Sequence, residues 1–238
     1  MKTLGTTFLL LFIFCLSNLS QAQNTSGQLR TLIENLNSAN SKEVYRSIEQ
    51  LKKFSYADFS INDKKRIAEE LKEDHAHLDR LIELCGFLQL ESELFAYAQN
   101  NKVNKRIKQT LNLALVRAGN ENKLNNLIKN LSSIPVSDDY AYNLVPKLAQ
   151  TSQKAVFDYL LTQVLDENIS CKHPDMETKG LYDCAHPIIE HIAPYINDFP
   201  FDVNQYGIVS NNPDEVLEVT RKWINKNKNT YSINKEIF

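Results

Sequence analysis

Residues 103–131 read VNKRIKQTLNLALVRAGNENKLNNLIKNL. At 3.6 residues per turn, Val103, Ile107, Leu111, Ala114, Leu115 and Ala118 fall on one face of a helix. Gly119 stands where that helix has to stop, because the residue after a helix C-terminus often turns left-handed and glycine does so without steric cost. Leu124, Leu127, Ile128 and Leu131 then mark a second apolar face. Two amphipathic helices joined at a glycine predict a helix pair, and the rest of the chain extends the pattern.

Downstream, Ile134-Pro135 predicts a turn, and Ser137 or Asp138 starts a helix through Tyr140, Ala141, Leu144, Val145 and Leu148. Pro146 lies inside it and should kink or shorten it. Thr151 or Ser152 opens a further helix with Val156, Tyr159, Leu160 and Val164. Upstream, Leu29, Leu32, Ile33 and Leu36 mark a short helix, and Ser41 caps one carrying Val44, Tyr45, Ile48 and Leu51. Another follows Asn62 with Ile67, Ala68 and Leu71. The next carries Leu78, Leu81, Ile82, Cys85 and Leu88, and Leu94, Phe95 and Ala98 make one more. No segment alternates apolar and polar residues long enough to predict a strand. Alternate helices start near Glu91, Glu121 and Ser152, about 30 residues apart, which is a helical-repeat period.

The run Val103 to Arg106, the Ala114-Leu115 pair and the closing Ala118-Gly119 resemble the second helix of a HEAT-type repeat. The resemblance is loose over residues 61–165 and firmest over 91–150. Asn104 and Lys105 depart from the pattern, which often has Arg directly after Val, and no Asp-Pro turn recurs. What it implies is an all-α, irregular α-α superhelix with a binding surface, and it carries over no catalytic residue.

The C-terminal part, 166–226, is less regular. Leu181 to Ile196 reads as a helix interrupted by Pro187 and Pro194, and Asn197 to Ser210 as irregular. Asn212-Pro213-Asp214-Glu215 is a helix start with cap, first-position proline and acids in the first turn. Val216, Leu217, Thr220, Trp223 and Ile224 form its apolar face, as expected of a helix that caps a stack. From Asn225 the tail is polar and is expected to fray.

The chain of 238 residues is 42% hydrophobic and 24% charged, enough to bury a core. Its amino terminus has Lys2, an apolar run from Phe8 to Leu16, and small residues at Ser20 and Ala22. That is the order of a secretory signal peptide over 1–22, cleaved near Ala22-Gln23, leaving 23–238 as a single all-helical domain in a secreted or periplasmic location. The run is too short to span a membrane, and no later segment is long enough. Phe14 before Cys15 argues against lipidation. Removing 1–22 takes the net charge from −2 to −3, without the basic footprint that nucleic acid requires.

Export changes how the cysteines are read, since oxidising compartments favour disulfides. Cys171 and Cys184 flank a polar loop and are expected to be bridged, which at this loop length removes about 3 kcal/mol of denatured-state entropy. Cys85 sits among leucines and reads as core. Cys171, His173, Asp175, Asp183, Cys184, His186, Glu190 and His191 form the densest set of potential metal ligands. His186 and His191 are five apart, so a helix turns them about 140° from each other, and no short CxxC spacing occurs. His75 and His77 read as exposed residues beside a capping Asp74, and the pairs Glu69-Glu70 and Asp138-Asp139 as solvated. HExxH, GxSxG, GxGxxG and P-loop patterns are absent from the sequence. The sequence therefore predicts no catalytic, cofactor or metal residue. It predicts an exported, non-enzymatic scaffold that binds a protein or peptide. The alternatives are a small metal-dependent or hydrolytic enzyme built on Cys171–His191, or an inhibitor or immunity-like protein.

Overall fold

In the computed structural model the described residues are 26–72, 74–100, 103–172, 181–204 and 207–238. The signal-like stretch 1–22, and the candidate ligands His173 and Asp175, lie outside them. The fold is all-α. Helix α1 (residues 26–34) runs into a 3-10 turn at Asn35–Asn37. It is followed by α2 (Ser41–Leu51), α3 (Ile61–Ala68), α4 (Leu78–Phe87), α5 (Glu91–Asn100), α6 (Lys105–Arg117) and α7 (Glu121–Leu131). Then come α8 (Val145–Ala149), α9 (Lys154–Leu165), α10 (Ala185–Ile192) and α11 (Pro213–Asn227).

The helix ends follow local chemistry. Asn104 caps α6, its side chain accepting from the Ile107 N–H at 3.0 Å. Gly119 takes φ +101°. The N–H groups of Gly119 and Asn120 bond back to Val116 O and Leu115 O, closing the double turn that satisfies the last carbonyls. Asn120 then caps α7 through Lys123 N–H (2.9 Å) and donates to Glu91 at the start of α5 (2.8 Å). Asn212 and Pro213 open α11 as predicted. Two starts differ from the sequence reading. Asn40 rather than Ser41 caps α2, and Ser60 caps α3 in a reciprocal box with Asp63. In both cases the residue one or two positions earlier has the extended backbone that a cap needs.

Pro146 reshapes its helix in a definite way. Residues Tyr140–Leu144 form a π turn, with Val145 N–H bonded to Tyr140 O. Proline has no N–H, and its ring crowds the carbonyl four residues back, so the wider turn removes both conflicts. The α-helical part that remains, α8, is only five residues long.

Two short antiparallel hairpins appear where no strand was expected. β1 (Ser170–Lys172) pairs with β2 (Leu181–Asp183), and β3 (Val203–Asn204) with β4 (Gly207–Ile208). The helix predicted over 181–196 is therefore corrected to a strand, then α10, then a 3-10 turn at Ala193–Tyr195. Pro187 does not interrupt α10. It occupies the first turn, where its missing N–H would have had no partner in the helix.

The buried side chains form two clusters. The first runs from Leu29 to Leu115 and the second from Leu131 to Tyr231. Helix α6 serves both: Leu111, Ala114 and Leu115 belong to the first, while Leu113 packs against the second. α11 packs on α9 and α10. Beyond it the expectation of a fraying tail is overturned. Tyr231 is buried, Ile233 pairs with Ile196, and Asn234 N–H bonds Tyr195 O at 2.7 Å. Tyr231, Ile233, Ile237 and Phe238 supply apolar anchors among polar neighbours.

Candidate functional site

Where the two clusters meet, the surface opens into a cleft of about 330 Å³. Helix α6 supplies one wall. Arg106, Thr110, Leu113 and Arg117 recur at the three- and four-residue spacing of a single helical stripe, beside the buried one. α4 contributes Asp79 and Glu83, α8 contributes Lys147 and the residue after its end Gln150, and the tail contributes Phe238.

The charges are unevenly matched. Arg106 pairs with Asp79. Burial works to raise the Asp79 pKa, but the Arg106 hydrogen bond, the Arg80 N–H and the two guanidinium charges outweigh it and leave the carboxyl below its usual range. Glu83 accepts from Lys52 Nζ at 3.1 Å. Among the described residues neither Arg117 nor Lys147 has a carboxylate within ion-pair distance. Burial lowers the Arg117 pKa to about 10, against upward pulls from Tyr195 and Glu83.

Arg117 organises the tail. Its Nη2 donates to Ile237 O at 2.6 Å. Its guanidinium carbon lies 4.9 Å from the ring centres of both Phe87 and Phe238, and these two rings meet edge-on at 5.6 Å. Lys52 Nζ stands 4.1 Å from the Phe238 ring. Two residues earlier in the segment, Glu236 accepts from the Ser55 hydroxyl and from Tyr56 N–H (3.1 Å). The chain's own last residues thus lie against its N-terminal half, with a turn at residues 235–236. They are held by a main-chain carbonyl on an arginine and by an aromatic ring between cations.

Little in the local sequence marks this cleft. A basic residue in the last turn of a helix reads as solvated and favourable to the helix dipole. A usable signal was Phe238, a large aromatic after a polar run.

The residues that the sequence did single out are placed as follows. The Cys171 and Cys184 sulfurs stand at bonding distance, 2.10 Å, beside the β1–β2 pairing. Asp183 accepts from Arg221 and from Ala185 N–H (2.8 Å), so it fixes the turn into α10. His191 is half-buried and burial lowers its pKa, with Glu190 pulling the other way. Among the described residues no three His, Cys, Asp or Glu side chains converge as metal ligands would. His75 and His77 are corrected from exposed to half-buried, and the helix starts after them, at Leu78. The His77 ring lies 2.9 Å from the Ser41 hydroxyl and 5.5 Å from Tyr45. Cys85 is fully buried, and burial pushes its thiol far up. Glu70 pairs with Lys72, and Asp139 accepts from Asn143.

Compared with protein-family models, curated proteins and solved structures, the chain matches none.

Proposed function

We propose that the chain is an exported, non-enzymatic module that holds a protein or peptide segment in the cleft between its two clusters. One observation carries the reading: this surface holds a peptide segment already, its own residues 236–238, through chemistry that any chain with an aromatic side chain can offer. A main-chain carbonyl on Arg117 is independent of sequence, and the aromatic seat supplies selectivity. The packed helix pairs are those of an irregular α-α superhelix of HEAT-like character, whose inner face serves such binding. A secreted or periplasmic location is supported by the pattern over 1–22 and by the Cys171–Cys184 pairing, which is at home in an oxidising compartment. Among the described residues no helix is long and apolar enough to cross a membrane.

The test uses a labelled peptide reproducing residues 232–238 and reads its fluorescence anisotropy. Phe238→Ala loosens the chain's own segment and leaves the seat open. The peptide should then bind this variant saturably, bind the unaltered chain more weakly, and fail to bind a variant that also carries Arg117→Met. Melting curves confirm that each variant is folded. No binding to folded Phe238→Ala at millimolar peptide would defeat the proposal. So would turnover of a hydrolase substrate that is abolished by changing His186.

A further inference from the structure

Two cations of the cleft lack an ion-pair partner among the described residues, and their placement points to a ligand. Arg106 pairs with Asp79 and Glu83 with Lys52, while Arg117 on α6 and Lys147 on α8 have no carboxylate within ion-pair distance among the described residues, Glu83 acting on Arg117 only from further off. A guanidinium has five N–H donors, and Arg117 directs one of them to Ile237 O. Arg117 lines the cleft, and its guanidinium makes no other hydrogen bond among the described residues. A cation in this half-buried position is costly unless an anion meets it. The amides of Gln109 and Gln150 line the same space and add neutral donors.

We propose that the polar half of this cleft is a carboxylate-binding pocket, with Arg117 as the planar two-pronged partner and Lys147 as the second cation. Arginine's fork matches a carboxylate with two parallel bonds, whereas Lys147 acts as a point charge. The sign and size of the field select the class of anion. Beside these two cations the lining holds Asp79 and Glu83, so its field is only weakly positive, which suits a monoanion better than a phosphate dianion. A cavity of about 330 Å³ holds a carboxylate with a short carbon chain or ring attached.

The carboxylate can come from an acidic side chain next to the aromatic residue of a bound peptide, or from a free organic acid. The first source rests on the peptide-binding reading, and the second does not. The probes are two labelled peptides, each with the sequence of residues 232–238 followed by one further glutamate or glutamine and an amidated end. Benzoate and inorganic phosphate are titrated alongside. The peptides are measured against Phe238→Ala, and the anions against the unaltered chain.

The glutamate peptide should bind about tenfold more tightly than its glutamine twin, and Lys147→Gln should erase the difference. Benzoate should bind in the millimolar range in a Lys147-dependent way and bind better than phosphate. If both peptides bind equally and benzoate does not bind, the carboxylate pocket is overturned while peptide binding stands. If benzoate binds through Lys147 and neither peptide binds, the pocket stands with a free acid as its ligand and the peptide reading falls. Equal binding of phosphate and benzoate, unaffected by Lys147→Gln, also overturns the pocket.

Discussion

A Cβ built on Gly86 would stand 2.8 Å from the Cα of Ala114. Helices α4 and α6 therefore touch backbone to backbone at this point, and α6 is the helix that carries both the shared packing and the cleft. Gly86→Ala has no room, because Ala114 Cα and O are main-chain atoms that cannot rotate aside. The helices must separate by a few tenths of an ångström or more. The expected cost is about 1–3 kcal/mol, measured as a lower urea midpoint at unchanged slope. Adding Ala114→Gly removes one of the three close contacts and should restore only part of the loss. Full restoration would show that side-chain crowding alone sets the approach.

Joining Cys171 to Cys184 closes a loop whose ends are 13 residues apart. Constraining the unfolded chain in this way stabilises the fold by about 3 kcal/mol. Intact mass should rise by the mass of two hydrogens on reduction, since Cys85 is a free thiol in either state. Under denaturing conditions the unreduced chain should show no alkylation at Cys171 or Cys184. Cys171→Ser with Cys184→Ser should lower the melting temperature, chiefly through the β1–β2 hairpin and the start of α10.

The half-buried histidines make stability depend on pH. Burial lowers the His75 pKa below its ordinary 6.5. His77 and Lys72 act in the same direction, while the Leu36 backbone and Glu70 oppose them. His191 is lowered from 6.5 by burial, opposed by Glu190. A group whose folded pKa lies below its unfolded value takes up its proton more readily when unfolded. Acidification through 6.5 toward the folded pKa therefore destabilises the protein, and the loss levels off below it. Urea midpoints should fall from pH 7.5 to 5.5, and a variant with His75→Gln and His191→Gln should fall less. An unchanged slope in that variant would assign the acid sensitivity to carboxylates.

How much of this was legible depends on the range over which each feature is decided. The α6–α7 pair and the start of α11 are written in local spacing, so Gly119, Asn120 and Asn212 could be read directly. The hairpin β1–β2 has three residues in each strand, too few for alternation to register, so the apolar run after Leu181 reads wholly as a helix. Arg117 is indistinguishable in sequence from a solvated basic residue, because what covers it lies 120 residues further on. The disulfide was legible because the inferred compartment, rather than spacing alone, made pairing the favoured chemistry of Cys171 and Cys184.

The tail's attachment is itself measurable. Phe238 is partly buried, seated against Phe87, Arg117 and Lys52, so Phe238→Ala removes an aromatic contact and two cation–ring contacts. The expected loss is about 2 kcal/mol, less than for a fully buried phenylalanine. The change should reach beyond the last residues. Tyr56 N–H bonds Glu236, and Asn234 N–H bonds Tyr195 O. If the segment lifts as a unit, hydrogen exchange should quicken at both amides. If only the last three residues lift, exchange should quicken at Tyr56 while Asn234 keeps its protection. Arg117→Lys separates the two contributions: it keeps the charge between the rings but loses the planar fork that reaches Ile237 O. Its effect on exchange at Asn234 should therefore fall between those of the unaltered chain and Phe238→Ala. An effect as large as Phe238→Ala would make the carbonyl bond, rather than the aromatic seat, the element that holds the segment in place.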